Sequence, residues 1–337
     1  MQKRKLGYSD LEFTTVGFGA WAVGGKWDWG WGDQDDEESI SAIHKALDLG
    51  INWIDTAAAY GLGHSEEVVQ KAIKSRRDQV YIATKCGLVW DDPSTGKVNK
   101  CLKAWSIRQE AENSLRRLGV DVIDLYQIHW PNPDEDIEEG WSEIARLVEE
   151  GKVRYAGASN FSMAQLTRIQ KIHPVASLQP EYSMLERSIE KDLLAFCAAN
   201  QIGVIAYSPM ASGLLTGKYT RATMDSIAAD DWRRKYSEHF REPALTANFS
   251  FVDKLKEIAH RFNRTPGQLA IAWVLRHQEM TAAIVGARRP TQIEEIAPAS
   301  DWQLSAEVIR EIDDLLVARD TQIASLQSEL NEAAGTP

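Results

Sequence analysis

Residues 107–159 read IRQEAENSLRRLGVDVIDLYQIHWPNPDEDIEEGWSEIARLVEEGKVRYAGAS. Apolar side chains recur at helical spacing over 107–118, and Gly119 stands just past them, where a helix ends most easily. Residues 122–129 form a short apolar run of strand length. Helical spacing returns over 138–150 and closes at Gly151, and 153–159 is strand-like again. Strands separated by amphipathic helices predict parallel neighbours joined by crossovers. Outward from this stretch the rhythm continues, with strand-like runs at 15–19, 52–55, 80–85, 177–181, 203–207 and 282–285, and helical runs at 37–49 and 65–75. Eight βα units in 337 residues predict a single α/β domain over 1–337, a closed (β/α)8 TIM barrel. An open dinucleotide-binding sheet would carry G-x-G-x-x-G after its first strand, whereas Gly17-Phe18-Gly19-Ala20-Trp21-Ala22 lacks the last glycine and runs into a tryptophan-rich insertion.

Two segments break the rhythm. Residues 24–34 place Trp27, Trp29 and Trp31 among glycines, and 210–250 are polar and irregular, with Tyr236, His239 and Phe240. Both follow strands, so both are expected as long loops on the C-terminal face of the barrel, where barrel enzymes build their sites. Residues 305–332 carry one long helical pattern, a C-terminal extension with Ile309, Ile312, Leu316, Ile323, Leu326 and Leu330 at heptad-like spacing, interrupted by Arg319. That spacing suits either a helix packed on its own barrel or a coiled-coil seam, which leaves monomer or homo-oligomer open.

The net charge is −11 and the pI about 5.2, which argues against nucleic acid or an anionic membrane as partner. No run approaches the length of a membrane span, and the basic start at Met1–Leu6 is followed by no apolar core. Cys86, Cys101 and Cys197 are scattered and form no metal-binding pattern. A cytoplasmic location with reduced thiols, and no metal site, is the expectation.

Three consecutive strands end in chemistry. The second ends in Asp55, with Tyr60 in the loop behind it; the third ends in Lys85 and the fourth in His129. Consecutive strand ends lie side by side on one face of a parallel barrel, so the four should converge. Charges that deep cost several kcal/mol unless paired, and an Asp55–Lys85 pair satisfies both. A phenol holds its proton at neutral pH, and an adjacent ammonium favours the phenolate. Tyr60 beside Lys85 is therefore placed to give a proton to a developing alkoxide, and His129 to hold the same oxygen.

The text D-T-A-A-A-Y-G-L-G-H-S-E around Tyr60, with Ile82-Ala83-Thr84-Lys85 and Leu125-Tyr126-Gln127-Ile128-His129, resembles the aldo-keto reductase superfamily. The likeness runs from Gly17 to about Ile296. It implies that Asp55, Tyr60, Lys85 and His129 form a catalytic tetrad and that the chain reduces aldehydes or ketones with a nicotinamide cofactor. It also implies cofactor contacts: Ser159, Asn160 and Gln179 on the carboxamide, Tyr207 stacked on the ring with Ser208 and Pro209 behind it, and Gly213, Leu215 and Lys218 over the pyrophosphate. At Gly286-Ala287-Arg288-Arg289-Pro290 the resemblance implies Arg288 as ligand of a 2′-phosphate, hence NADP(H), with Gln292 and Glu295 on adenine. The G-A-R-x-P form is similar to bacterial general-stress and inositol-operon reductases, and more distantly to potassium-channel β subunits. The latter supply the alternative of a slow, redox-sensing nucleotide-binding subunit. Trp21, Trp29 and Trp130 are expected to line a pocket for a small apolar or aromatic carbonyl substrate.

Overall fold

The computed structural model describes the chain apart from residues 28, 226, 228–230, 334, 336 and 337 and the side chains of 225, 232 and 333. Its centre is a closed barrel of eight parallel strands. In chain order these are β1 (Val16–Gly19), β2 (Trp53–Asp55), β3 (Tyr81–Cys86), β4 (Ile123–Ile128), β5 (Val153–Ser159), β6 (Ser177–Gln179), β7 (Gly203–Ala206) and β8 (Met280–Gly286). Each pairs with the next, and β8 closes on β1. Around them lie α1 (Asp36–Asp48), α2 (His64–Ile73), α3 (Ala104–Leu118), α4 (Ile137–Glu149), α5 (Met163–Ile169), α6 (Leu193–Ala199), α7 (Ala244–Arg261), α8 (Pro266–Val274), α9 (Pro290–Ile296) and α10 (Ala306–Ala333). Helices α1 to α4 begin one to three residues before the expected positions. Gly50, Gly119 and Gly151 hold the left-handed turns past α1, α3 and α4, at φ 88°, 63° and 75°.

The period of two along each strand divides the molecule into two cores. Ile54, Ile82, Tyr126 and Ile128 point outward and pack under the helices. Trp53, Ala83 and Leu125 point inward and meet Ile205, Ala282 and Ile284 inside the barrel. Two residues further along β2, β3 and β4, on the same inward face, come Asp55, Lys85 and Gln127, so an apolar layer carries a polar one directly above it. Register sets Lys85 opposite Gln127 within this layer and puts Asp55 opposite Ala83, two residues before Lys85. Burying each large apolar side chain of the lower layer contributes about 1.5–3 kcal/mol. Trp53 fills so much of that layer that a Cβ on Gly17 would lie 2.1 Å from its ring, and only glycine fits there.

An N-terminal hairpin, Lys3–Lys5 against Glu12–Thr14, closes the barrel floor. Phe13 stacks on Trp53 at 4.4 Å, and the Trp53 indole N–H donates to the Thr14 carbonyl at 2.9 Å. The sequence reading passed over this hairpin. Its reading of 210–250 as irregular also needs correction. Short helical turns at Arg221–Asp225 and Trp232–Tyr236 occupy part of it, and α7 begins at Ala244. Both this segment and 24–34 include positions outside the described residues.

The C-terminal pattern is one helix, α10, in two parts. Val308, Ile312 and Leu316 are buried, and the Arg319 guanidinium donates to the Asn248 side-chain oxygen of α7 at 2.6 Å. Beyond that point no side chain is fully buried among the described residues, and Leu330 is 50% exposed. No helix of the described residues is long and apolar enough to cross a membrane.

Candidate active site

The ends of β2, β3 and β4 bring together all four residues singled out in the sequence. The buried Lys85 ammonium makes three hydrogen bonds, to Asp55 Oδ1 at 2.6 Å, the Thr56 carbonyl at 2.9 Å and Tyr60 Oη at 3.0 Å. Its three donors are thereby all used. The His129 ring stands edge-on to Tyr60, centroids 5.7 Å apart. His129 lies one residue past β4, where its backbone N–H still donates to the Cys86 carbonyl at 3.0 Å. Tyr60 reaches the site from a tight loop. A Cβ at Gly61, φ 60°, would sit 2.0 Å from the Gly24 carbonyl, so the loop presses directly on the tryptophan-rich segment.

Burial controls the protonation states. It raises the Tyr60 pKa, and Lys85 pulls the other way without reversing the shift. The expectation that Lys85 would leave a lowered phenol pKa is thus corrected: desolvation of a buried phenol outweighs one ammonium already balanced by Asp55. Lys85 itself is held above its ordinary value, because Asp55 and Tyr60 more than offset its desolvation. Burial, with Lys85 adding to it, holds His129 well below its ordinary value, so the ring is neutral. The site therefore holds a protonated phenol, an ammonium, a carboxylate partner and a neutral imidazole. That set can donate a proton and stabilise the anion left behind.

A second polar ring adjoins the tetrad. The Gln179 side-chain amide donates to Asp55 Oδ2 at 2.8 Å, and the Ser159 hydroxyl donates to the Gln179 carbonyl at 2.9 Å. Asn160, in the left-handed region at φ 63°, donates to the His129 carbonyl at 3.1 Å and accepts from the Tyr207 hydroxyl at 3.0 Å. Ser208 shares the left-handed conformation, at φ 54°, and leads through Pro209 into the next loop. There the Gly213 and Leu215 N–H groups are both bonded to the Met210 carbonyl, and the Leu215 side chain is buried. Lys218 forms an ion pair with Glu295 at 2.7 Å, joining this loop to α9.

At the end of β8 Gly286 is exposed, and beyond it Gln292 Oε1 accepts the backbone N–H groups of Arg288 and Arg289, at 2.7 and 3.1 Å. The Arg288 guanidinium donates to Gln34 Oε1 and the Asp33 carbonyl, and Gln34 returns a bond to the Arg288 carbonyl at 3.0 Å. The loop after β1 and the loop after β8 are thus tied together. Gln34 and Asp33 were missed by the sequence reading, because this pairing spans more than 250 positions. Gln127, also missed, gave one signal: it is the polar residue of an otherwise apolar inward row.

Of the tryptophans, Trp27 packs beside the Tyr60 ring, 6.0 Å between centroids, and Trp21 packs edge-on against Trp31 at 5.3 Å. Trp29 turns outward against Tyr236 at 5.0 Å and is 43% exposed. Trp130 is 40% exposed beneath Lys100.

The Aldo/keto reductase family model matches residues 15–317. Aldo-keto reductase YhdN of Bacillus subtilis is 37% identical over 319 residues, which are 94% of each chain. The NADH-specific methylglyoxal reductase of Escherichia coli is 35% identical over 330 residues, 94% of this chain and 99% of that one. Among solved structures, the glycerol dehydrogenase AKR11B4 of Gluconobacter oxydans superposes with a TM-score of 0.86 at 37% identity, covering 94% of this chain and 95% of that one.

Proposed function

The chain belongs to the aldo/keto reductase family, and on that premise we propose that it reduces aldehydes or ketones to alcohols with NADPH, Tyr60 giving the proton. The observation that carries this reading is the 3.0 Å contact between the Lys85 ammonium and the Tyr60 oxygen, inside a site that keeps the phenol protonated. The nicotinamide supplies the hydride when bound. Tyr60 Oη gives its proton to the carbonyl oxygen as that oxygen becomes an alkoxide. Lys85 then stabilises the phenolate, and Asp55 holds Lys85 in place and balances its charge. His129, neutral, donates an N–H to the same oxygen and fixes its approach. The contribution of such acid catalysis is about 10² to 10⁴ in rate.

The chain's residues suit a nicotinamide dinucleotide. Ser159, Asn160 and Gln179 form a polar edge continuous with the tetrad, and Tyr207 sets an aromatic face beside it. Lys218 and Glu295 bracket the middle of the path, and Arg288 with Gln292 stands at its far end. Arg288 and the exposed Arg289 are a local cationic pair in an acidic chain, which favours a 2′-phosphate, hence NADPH. The aromatic wall of Trp21, Trp27 and Trp31 favours apolar or aromatic carbonyl compounds.

The test is reduction of an aromatic aldehyde with NADPH and, separately, NADH, followed by loss of reduced-nicotinamide absorbance. The expected result is a kcat/KM at least about tenfold higher with NADPH, the effect of about 1.4 kcal/mol from one phosphate contact. Equal or inverted values would remove the NADPH preference and leave the reductase. Consumption of neither cofactor across a panel of aldehydes would remove the reductase.

A further inference from the structure

Behind β3 and β4, outside the barrel wall, lies a buried acid that the tetrad does not use. Glu110, on the inner face of α3, is 6% exposed. Its Oε2 accepts the Gly87 backbone N–H at 2.8 Å, and its Oε1 accepts the Ser106 hydroxyl at 3.0 Å. It has no ion-pair partner among the described residues. Gly87 follows Cys86, which follows Lys85. The Cys86 carbonyl, on the other side of the same peptide unit, accepts the His129 N–H at 3.0 Å. One peptide plane is therefore held from both sides, by Glu110 of α3 through its N–H and by the His129 backbone through its carbonyl. Gly87 adopts φ 88°, so the chain turns sharply here and its direction depends on that grip.

We propose that Glu110 is a positioning residue for the proton-donating site: by holding the Cys86–Gly87 peptide it sets the His129 backbone, and with it the imidazole, against Tyr60. The inference rests on the reductase reading for its kinetic consequence and on geometry alone for the link itself. A peptide plane is rigid, so movement of its N–H end is carried to its carbonyl end without loss. Small displacements of groups that touch the substrate are costly in rate.

The link is also sensitive to protonation. Burial pushes the Glu110 carboxyl up to about 7, against the pull of the Gly87, Ser106 and Leu88 hydrogen bonds and of Arg117. The titratable groups facing it are few. The Cys86 thiol on β3 and the Tyr126 phenol on β4 are both raised and stay neutral. Arg117 on α3 is bonded at 2.7 Å to Glu66 of α2, whose other oxygen takes the Thr84 hydroxyl at 2.6 Å. As a carboxylate, Glu110 makes charge-assisted bonds to Gly87; once protonated it makes weaker neutral ones. Within the tetrad, Tyr60 and Lys85 are raised and His129 is held far down, so the proposal assigns a kinetic limb near neutrality to Glu110, and Glu110→Gln tests that assignment.

The experiment uses the full chain and two readouts. In wild type, the Gly87 and His129 backbone amide resonances should titrate together near pH 7, and kcat should fall about fivefold on acidification through that range. In Glu110→Gln, which keeps only a neutral acceptor and does not ionise, both resonances should stay flat and kcat should stay near the acid-side value of wild type, about fivefold below its alkaline value, at every pH. Glu110→Ala should lose kcat by at least about tenfold while the Kd for NADPH changes less than about twofold. A His129 resonance that does not follow Gly87, a limb near 7 that persists in Glu110→Gln, or full kcat in Glu110→Ala would each overturn the proposal. Should Glu110→Ala not fold, the amide titration and the Glu110→Gln profile still decide it. Absence of turnover in wild type would count against the reductase reading, and the amide titration would still test the link.

Discussion

Lys85 concentrates the energetics of the site in one side chain. It spends every donor on Asp55, Thr56 and Tyr60, and among the described residues it is the sole cation paired with Asp55. Replacing it by methionine keeps the volume and leaves Asp55 buried with only neutral amide donors. Lys85→Met should therefore lose turnover and also lower the unfolding free energy by about 3–5 kcal/mol, measured as the shift in denaturant midpoint at unchanged slope. An unchanged midpoint would contradict this account of the pair. At this scale the tetrad was legible because its members are ionisable residues placed directly at the ends of apolar runs. Its protonation states were not. The direction of the Tyr60 shift depends on how completely the phenol is enclosed, and no residue of the sequence states that. Glu110 was illegible for a different reason. Its partner is a backbone N–H, and α3 also carries Glu112, from which only packing separates it.

The strands and the first helices were readable because their period is written into side-chain polarity. The three-residue strands of the N-terminal hairpin are too short to show any period, and they appear only once Trp53 needs a floor. The start of α7 was hidden by Thr246, Asn248 and Ser250, which read as a loop. Asn248 is in fact buried, satisfied by the His239 carbonyl at 2.9 Å and by Arg319. Helix α10 divides at that arginine. Its first part shares a core with α7, and the rest covers nothing fully among the described residues. A chain ending after Asp320 should keep its thermal midpoint within about 2 °C, since surface groups contribute little. A chain ending before Ile312 should lose several degrees, because Ile312 and Leu316 leave a core cavity. A large drop in the first variant would show that the distal half of α10 is covered, and a molar mass for both chains would tell whether a second copy covers it.

Over the whole molecule, one alternation of side chains does two jobs. Inward residues low in the strands make a dry floor under Trp53, and inward residues two positions higher make the polar layer of the site. The dry layer keeps water from Lys85 and Asp55, which strengthens their pairing and keeps the Tyr60 proton in place. The loops after β1 and β8 on the same face are joined through Arg288, Gln34 and Asp33, which ties the tryptophan-rich segment to the cationic end of the proposed cofactor path. The central claim is that Tyr60 is the acid, and Tyr60→Phe tests it most directly. The variant keeps the ring against Trp27 and His129 and removes only the proton and its oxygen. The account predicts that reduction of an aromatic aldehyde falls by at least about 10²-fold while the Kd for NADPH, measured by titration, stays within about twofold. Wild-type turnover in Tyr60→Phe would contradict it and would assign the proton to another group.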